Sequence, residues 1–262
     1  KIGLLTYFWE NNAGQYWQAV TTLQCLKQRF PKADIELVNV RHWKNAREGL
    51  APRRDWIKPW RILRGRRFAA AYEAGRNRLL KLSSRDCLTD NYEMANEFVN
   101  SLDYDLLVVG ADAVLKPLSE TRIKGCIPVY WLSPEIKAKK AILGSSADTI
   151  RLTARDDPLA VRMKESLAGF EFIAVRDRMT QTLLNALGTA KVSIQTIPDP
   201  TFSIDPSEKW RKEAKRLFPK RKKDRRYAAV HLPKSNLAPL IVKSLTHMGF
   251  TVLSTTREIP GS

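Results

Sequence analysis

The sequence predicts an α/β protein whose larger part is a doubly wound, mostly parallel, Rossmann-like sheet, and three observations predict it. Short apolar and β-branched runs recur along the chain, most of them continuous rather than alternating, as strands covered on both faces require. Helical patterns with one apolar face lie between them. Strand and helix alternate throughout, which imposes right-handed βαβ units.

The first strand is expected over Ile2–Thr6, followed by an aromatic turn, Tyr7-Phe8-Trp9, and a small polar loop from Glu10 to Gly14. A helix follows over Gly14–Phe30, with Val20, Leu23, Leu26 and Phe30 marking one face. A strand that feeds a helix through such a loop offers free backbone N–H groups to an anion. Ile35–Val40 is the next strand. Helix Tyr92–Ser101 leads to a strand at Leu106–Val109, and Ala141–Ser145 and Phe172–Val175 follow. Helix Arg178–Leu187 and strand Val192–Ile197 complete the run.

A boundary falls near residue 205. Pro198-Asp199-Pro200 ends one strand, and Asp205-Pro206-Ser207 caps a basic helix from Glu208 to Phe218. Residues 1–205 therefore read as an N-terminal Rossmann-like domain. Residues 206–262 read as a linker helix and the first β-α-β of a second one: strand Tyr227–Leu232, helix Leu237–Met248 stopped by Gly249, and strand Thr251–Thr255. A βαβ unit of about 35 residues cannot close its own sheet, so the C-terminal part of the second domain is expected to be missing.

With 262 residues and 44% hydrophobic content, the chain can bury a sizeable core. No run approaches the ~18 apolar residues of a membrane-spanning helix, and no secretory signal is expected. Cys25, Cys87 and Cys126 are scattered, without metal-ligand spacing, and suit a reducing compartment. A cytoplasmic location is expected.

The net charge of +18 is concentrated in two runs. Arg41 to Lys81 holds thirteen Lys/Arg against three Asp/Glu, and Lys209 to Arg226 holds eleven against two. Anionic partners follow from that balance. Between Trp56 and Phe68, tryptophans interleave with arginines. Such a segment can rest at the anionic inner face of a plasma membrane or pack its aromatics on the core. No nucleic-acid-binding module is recognisable, so nucleic acid is not the expected partner.

One stretch is distinctive in its wording. Thr6-Tyr7-Phe8-Trp9-Glu10-Asn11-Asn12-Ala13-Gly14, with Gln18-Ala19 and Leu23-Gln24-Cys25-Leu26, resembles the opening of the polysaccharide pyruvyl transferase family. Four more stretches agree in order. Tyr104-Asp105 through Gly110-Ala111-Asp112-Ala113-Val114 looks like the family's Tyr-Asp…Val-Gly-Ser-Asp-Gln-Val-Trp segment. Lys139-Lys140 through Gly144-Ser145-Ser146 looks like its Lys-Lys…Tyr-Ala-Ala-Ser strand, and Ala174-Val175-Arg176-Asp177 is similar to its Val-Arg-Glu. Pro198-Asp199-Pro200-Thr201-Phe202, then Trp210, is similar to its Asp-Pro-Thr-Leu and trailing Trp. The resemblance covers roughly residues 1–210. It implies a GT-B-like fold of two domains and transfer of a pyruvyl group from phosphoenolpyruvate to a sugar of a polysaccharide or cell-surface glycan precursor, closing a cyclic ketal. Its implied partners are phosphoenolpyruvate and a sugar or lipid-linked glycan acceptor, with no other cofactor.

That reaction needs groups that neutralise a carboxylate and a phosphate, supply one proton and accept two. Arg176, at a strand end where open sheets bind ligands, is the candidate anion clamp; the alternative is a structural pair with Asp177 or Asp156. Asp112, after Gly110, is the candidate base, or caps the turn that follows. His231 ends the first strand of the second domain and is either a general acid or an ordinary strand histidine. Asn11, Asn12 and Gly14 line the first loop as ligand groups or as turn residues. Ser145 and Ser146 bind phosphate or sugar, or cap a strand end. Asp199 reads as hinge-shaping and Gln18 as a packing partner. No metal spacing, Walker loop, Gly-x-Ser-x-Gly or Gly-x-Gly-x-x-Gly is present. Other readings stay open: a glycosyltransferase using a nucleotide sugar, a nucleic-acid-binding protein, or a catalytically degenerate family member.

Overall fold

A computed structural model describes residues 1–10, 12–41, 69–70, 72–116, 127–148, 158–188, 190–204, 208, 212, 226–230 and 237–254. The chain divides into two compact units, residues 1–204 and 205–262.

The first unit is built on a seven-stranded, fully parallel sheet: β1 (Ile2–Leu5), β2 (Ile35–Arg41), β3 (Leu82–Leu88), β4 (Leu106–Val109), β5 (Lys139–Ser145), β6 (Phe172–Val175) and β7 (Ile194–Thr196). Their order across the sheet is β3-β2-β1-β4-β5-β6-β7. Every pair of neighbours is parallel, with Leu4 opposite both Leu37 and Val108. The order reverses between β1 and β4. In open α/β sheets such a reversal is where ligands bind, at the carboxyl ends of the strands.

The alternation of side chains along each strand divides the core. On one face α1 (Ala13–Arg29) lays Tyr16, Ala19, Val20, Leu23 and Leu26 against Ile2, Leu4, Ile35, Leu37 and Val108. On the other, α2 (Tyr92–Asn100), α3 (Pro158–Leu167) and α4 (Arg178–Leu187) bury Val99, Met163, Leu167 and Leu184 against Leu5, Val38, Leu107, Ile142 and Ile173. Trp131, in a short 3-10 turn, is wholly buried there, and its indole N–H donates to the Leu115 carbonyl at 3.0 Å. Helix starts carry side-chain caps: Asn12 for α1, Asn91 for α2 and Asp177 for α4, each accepting a first-turn N–H. Gly188 ends α4 in the left-handed region, at φ 73°.

Within the described residues the expected strands and helices lie where the sequence places them, to within two residues at each end, while the expected helix Glu208–Phe218 lies almost wholly outside the described residues. Among the described residues the additions include helical residues 72–79, β3 and α3. β3, Leu-Ser-Ser-Arg-Asp-Cys-Leu, is an edge strand with only Ser83 fully buried, so it lacks an apolar run. α3 buries Leu159, Ala160, Met163 and Leu167 at helical spacing.

In the second unit β8 (Arg226–Val230) and β9 (Phe250–Ser254) pair in parallel, joined by α5 (Ala238–His247). Val230, Ala238, Val242 and Val252 form its small core. Among the described residues no helix is long and apolar enough to cross a membrane.

Candidate active site

Backbone ties frame the carboxyl ends of the strands beside the sheet reversal. After β4 the chain turns at Gly110, whose φ is 126°. A Cβ there would lie 2.2 Å from the Leu143 carbonyl oxygen and 2.6 Å from Ser145 Oγ, so only glycine fits. The loop beyond is tied down on both sides. Ser145 Oγ donates to the Val109 carbonyl (2.9 Å), the Ser146 N–H to the Asp112 carbonyl (2.8 Å) and the Leu115 N–H to the Ser146 carbonyl (3.1 Å). From β1, Thr6 Oγ1 donates to the Ala111 carbonyl at 2.8 Å. Asp112 is thereby held at φ 85°, with its Oδ1 accepting the Ala113 N–H at 2.7 Å. Asp tolerates that left-handed conformation because its short carboxylate bonds locally.

Arg176 follows β6, and its N–H donates to the Ser145 carbonyl at 3.1 Å. Its guanidinium spans two carboxylates: Nη1 donates to Asp199 Oδ2 at 3.1 Å, and Nη2 lies 3.6 Å from Asp112 Oδ1. Asp199 precedes the 3-10 turn Pro200–Ser203. Its Oδ1 accepts from the Thr201 N–H (3.0 Å) and Oγ1 (2.7 Å), and its Oδ2 also accepts from Gln18 Nε2 of α1 at 2.6 Å. One carboxylate thus ties together α1, the end of β6 and the last turn of the first unit.

The two acids sit in different fields. Burial pushes the Asp112 carboxyl above the ordinary carboxylate range; the Ala113 N–H and Arg176 oppose this, and the charge of Asp199 adds to it. Burial also acts to raise Asp199, but the bonds from Thr201, Gln18 and Arg176 together outweigh it and hold that carboxyl below the ordinary range. Tyr7 stands beside Asp112, its ring edge-on to Tyr130 at 5.1 Å. Burial, then the charges of Asp112 and Glu10, hold its phenol well above the usual range, so it stays a proton donor. With one guanidinium against two carboxylates, the cluster carries net negative charge. It is therefore a better host for hydroxyl groups than for an unaccompanied polyanion.

The expected site residues fall as follows. Arg176 and Asp112 come together directly, and the second carboxylate on Arg176 is Asp199 rather than Asp177, which caps α4 by accepting the Thr180 N–H at 2.7 Å. Asp156 lies outside the described residues, as do Asn11 and His231. Asn12 accepts the Gly14 N–H at 2.9 Å at the start of α1. Ser145 is fully buried, with its hydroxyl on the Val109 carbonyl. Ser146 Oγ accepts the Asp148 N–H at 3.0 Å and lies 3.5 Å from Thr180 Oγ1. The Trp56–Phe68 segment lies outside the described residues, and so does most of the Lys209–Arg226 run. Asp199 and Gln18 belong to the cluster although the sequence reading gave them structural parts. The signal for Asp199 was its place in the Pro-Asp-Pro-Thr turn directly after the last strand. Among the described residues no group of His, Cys, Asp and Glu could hold a metal ion.

A family model described as polysaccharide pyruvyl transferase matches residues 12–248. Among solved structures, the chain is similar in fold to a UDP-GlcNAc 2-epimerase from Neisseria meningitidis, in a crystal structure bound to UDP-GlcNAc. The identity is 7% and the TM-score 0.50, and the match covers 99% of this chain and 66% of that one. The chain thus spans a little under two thirds of the length of that structure. No curated protein sequence matches it.

Proposed function

Since the chain belongs to the polysaccharide pyruvyl transferase family, we propose that it moves a pyruvyl group from phosphoenolpyruvate onto two hydroxyls of a sugar in a polysaccharide or cell-surface glycan precursor. The observation that carries this reading is the Asp112–Arg176–Asp199 cluster at the sheet reversal, where a carboxyl of raised proton affinity is held beside a fixed guanidinium.

In the proposed reaction a proton adds to the methylene carbon of phosphoenolpyruvate, leaving an oxocarbenium-like centre at C2. One sugar hydroxyl adds to C2 and loses its proton. Phosphate then leaves, and the second hydroxyl closes the ketal and loses its proton in turn. Asp112 takes a hydroxyl proton, and its raised affinity brings it closer to the middle of the pH range where a general base works best. Arg176 orients Asp112 and offers its other N–H groups to the carboxylate of the donor. Asp199 positions Arg176. The remaining charge of phosphoenolpyruvate calls for further cations. A lipid-linked acceptor would bring the chain to an anionic membrane surface, with the Trp56–Phe68 segment as the contact. Sedimentation with anionic but not with zwitterionic vesicles is the expected behaviour; equal binding to both, or to neither, rules that contact out.

The test is incubation of the full-length protein with phosphoenolpyruvate and candidate glycan acceptors. Phosphate release together with the mass gain of one pyruvyl ketal on the sugar is the expected result. Turnover of a nucleotide sugar with none of phosphoenolpyruvate would instead make the chain a glycosyltransferase, a reading that the fold alone does not separate from the first.

A further inference from the structure

We infer that Tyr7 is a specificity-determining residue of the acceptor site: its phenol O–H donates to one of the two sugar hydroxyls that the ketal joins, while Asp112 accepts from the other. This rests on the proposed reading of the chain as a glycan pyruvyl transferase. Backbone contacts bring the two residues side by side. The Gly110 N–H donates to the Leu5 carbonyl at 2.9 Å, which carries the pairing of β1 with β4 one step past the strands. Thr6 Oγ1 then donates to the Ala111 carbonyl at 2.8 Å. Tyr7 and Asp112 are the next residues on the two segments.

Each of the two side chains keeps one polar atom open. The Tyr7 ring packs on the core of the first unit, edge-on to Tyr130, which is only 4% exposed, so the ring is fixed. Its hydroxyl takes no part in that packing. Tyr7 is partly exposed, and among the described residues its Oη neither makes a hydrogen bond nor belongs to the buried polar atoms left without one; it therefore opens to solvent. Asp112 spends Oδ1 on the Ala113 N–H and on Arg176. Its Oδ2 makes no hydrogen bond among the described residues and is not a buried orphan either, on a side chain 15% exposed. A solute can reach both atoms.

The chemistry of the pair selects the ligand. A neutral phenol donates and a carboxylate only accepts, so a partner for both must accept at one point and donate at another. Phosphoenolpyruvate brings carboxylate and phosphate oxygens, which would set negative charge against Asp112. Two neighbouring sugar hydroxyls satisfy both groups, and a cyclic ketal needs two such hydroxyls. The first gives its hydrogen to Asp112 Oδ2, which then removes that proton. The second accepts from Tyr7 Oη and stands ready to close the ring once phosphate has left. Tyr7 transfers no proton in this role. Burial and the carboxylates of Asp112 and Glu10 keep the phenol protonated, so the bond is offered throughout the working pH range.

The full chain labelled with ¹³C at tyrosine Cζ, titrated with methyl β-galactoside, methyl β-glucoside and methyl β-N-acetylmannosaminide, tests this. The Tyr7 resonance is assigned by its loss in Tyr7→Phe, which keeps the ring against Tyr130 and should melt with the wild type. A saturable shift of that resonance with at least one glycoside is expected. By calorimetry, Tyr7→Phe should bind the same glycoside roughly fivefold to tenfold more weakly, the worth of one hydrogen bond. Deoxy analogues then locate the bond. Removing the hydroxyl that Tyr7 holds should weaken binding to the wild type and leave binding to Tyr7→Phe unchanged, because one contact is deleted twice. An unmoved resonance with all three glycosides means that only water meets the phenol and overturns the inference. Unchanged affinity in Tyr7→Phe, or losses that add at every deoxy position, overturn it too. Phosphate release from phosphoenolpyruvate, measured separately, reports on the transferase reading: release without any effect at Tyr7 defeats the role of Tyr7 alone, and the Tyr7 effects without release defeat the transferase alone.

Discussion

At the scale of single residues, Asp112 and Asp199 share one guanidinium yet lean in opposite directions. The folded value of Asp112 lies above the ordinary 3.8. Its contribution to stability is therefore present below that pH and is lost as pH rises through the folded value. Asp112→Asn should lower kcat/KM for pyruvyl transfer by about 10²–10⁴-fold. It should also remove the acid limb of the rate profile while leaving the melting temperature at neutral pH unchanged or higher. A variant with normal turnover and its acid limb intact would exclude Asp112 as the base. Asp199 behaves in reverse: its value is depressed below 3.8, so its contribution is present above that pH and is lost as pH falls through the folded value. Asp199→Ala strands the amide of Gln18 and one side of Arg176, at a cost of about 2–3 kcal/mol. Urea unfolding at pH 7 should show the loss, and the gap from wild type should narrow in acid.

Among the elements, the two glycines at strand and helix ends separate crowding from conformation. Gly110→Ala meets both a positive φ and the Leu143 carbonyl, and should leave no stably folded first unit by circular dichroism. Gly188→Ala has the same sign of φ but nothing within 4 Å of the added carbon, and should cost only about 1 kcal/mol. Comparable losses in the two variants would defeat the argument. The same scale explains what the sequence made legible. Ile-Gly-Leu-Leu and Leu-Leu-Val-Val announce themselves because strands inside a parallel sheet are apolar on both faces. β3 stayed hidden because an edge strand can alternate Ser, Arg and Asp with little penalty. Arg176 and Asp112 were legible as strand-end residues in an α/β chain. The meeting of Asp199 with Gln18 was not, since it spans 181 residues of sequence and only the packing of α1 on the Pro200 turn brings it about.

For the whole molecule, the cores are unequal. The first unit buries two extended apolar layers, whereas the described core of residues 205–262 is four small side chains. Scanning calorimetry should therefore resolve two transitions, with the lower one assigned to residues 205–262. Val242→Ala, in the smaller core, should move the lower transition alone. One transition, moved as a whole by that variant, would contradict independent cores.

The tie between Ser145 and the Val109 carbonyl has a practical consequence for anyone mapping this protein by mutagenesis. An alanine at position 145 would slacken the crossbrace that keeps the aspartate loop in register with its neighbouring strand. Turnover and melting temperature would then fall together, and a scan scored on turnover alone would mistake a joist for a reagent.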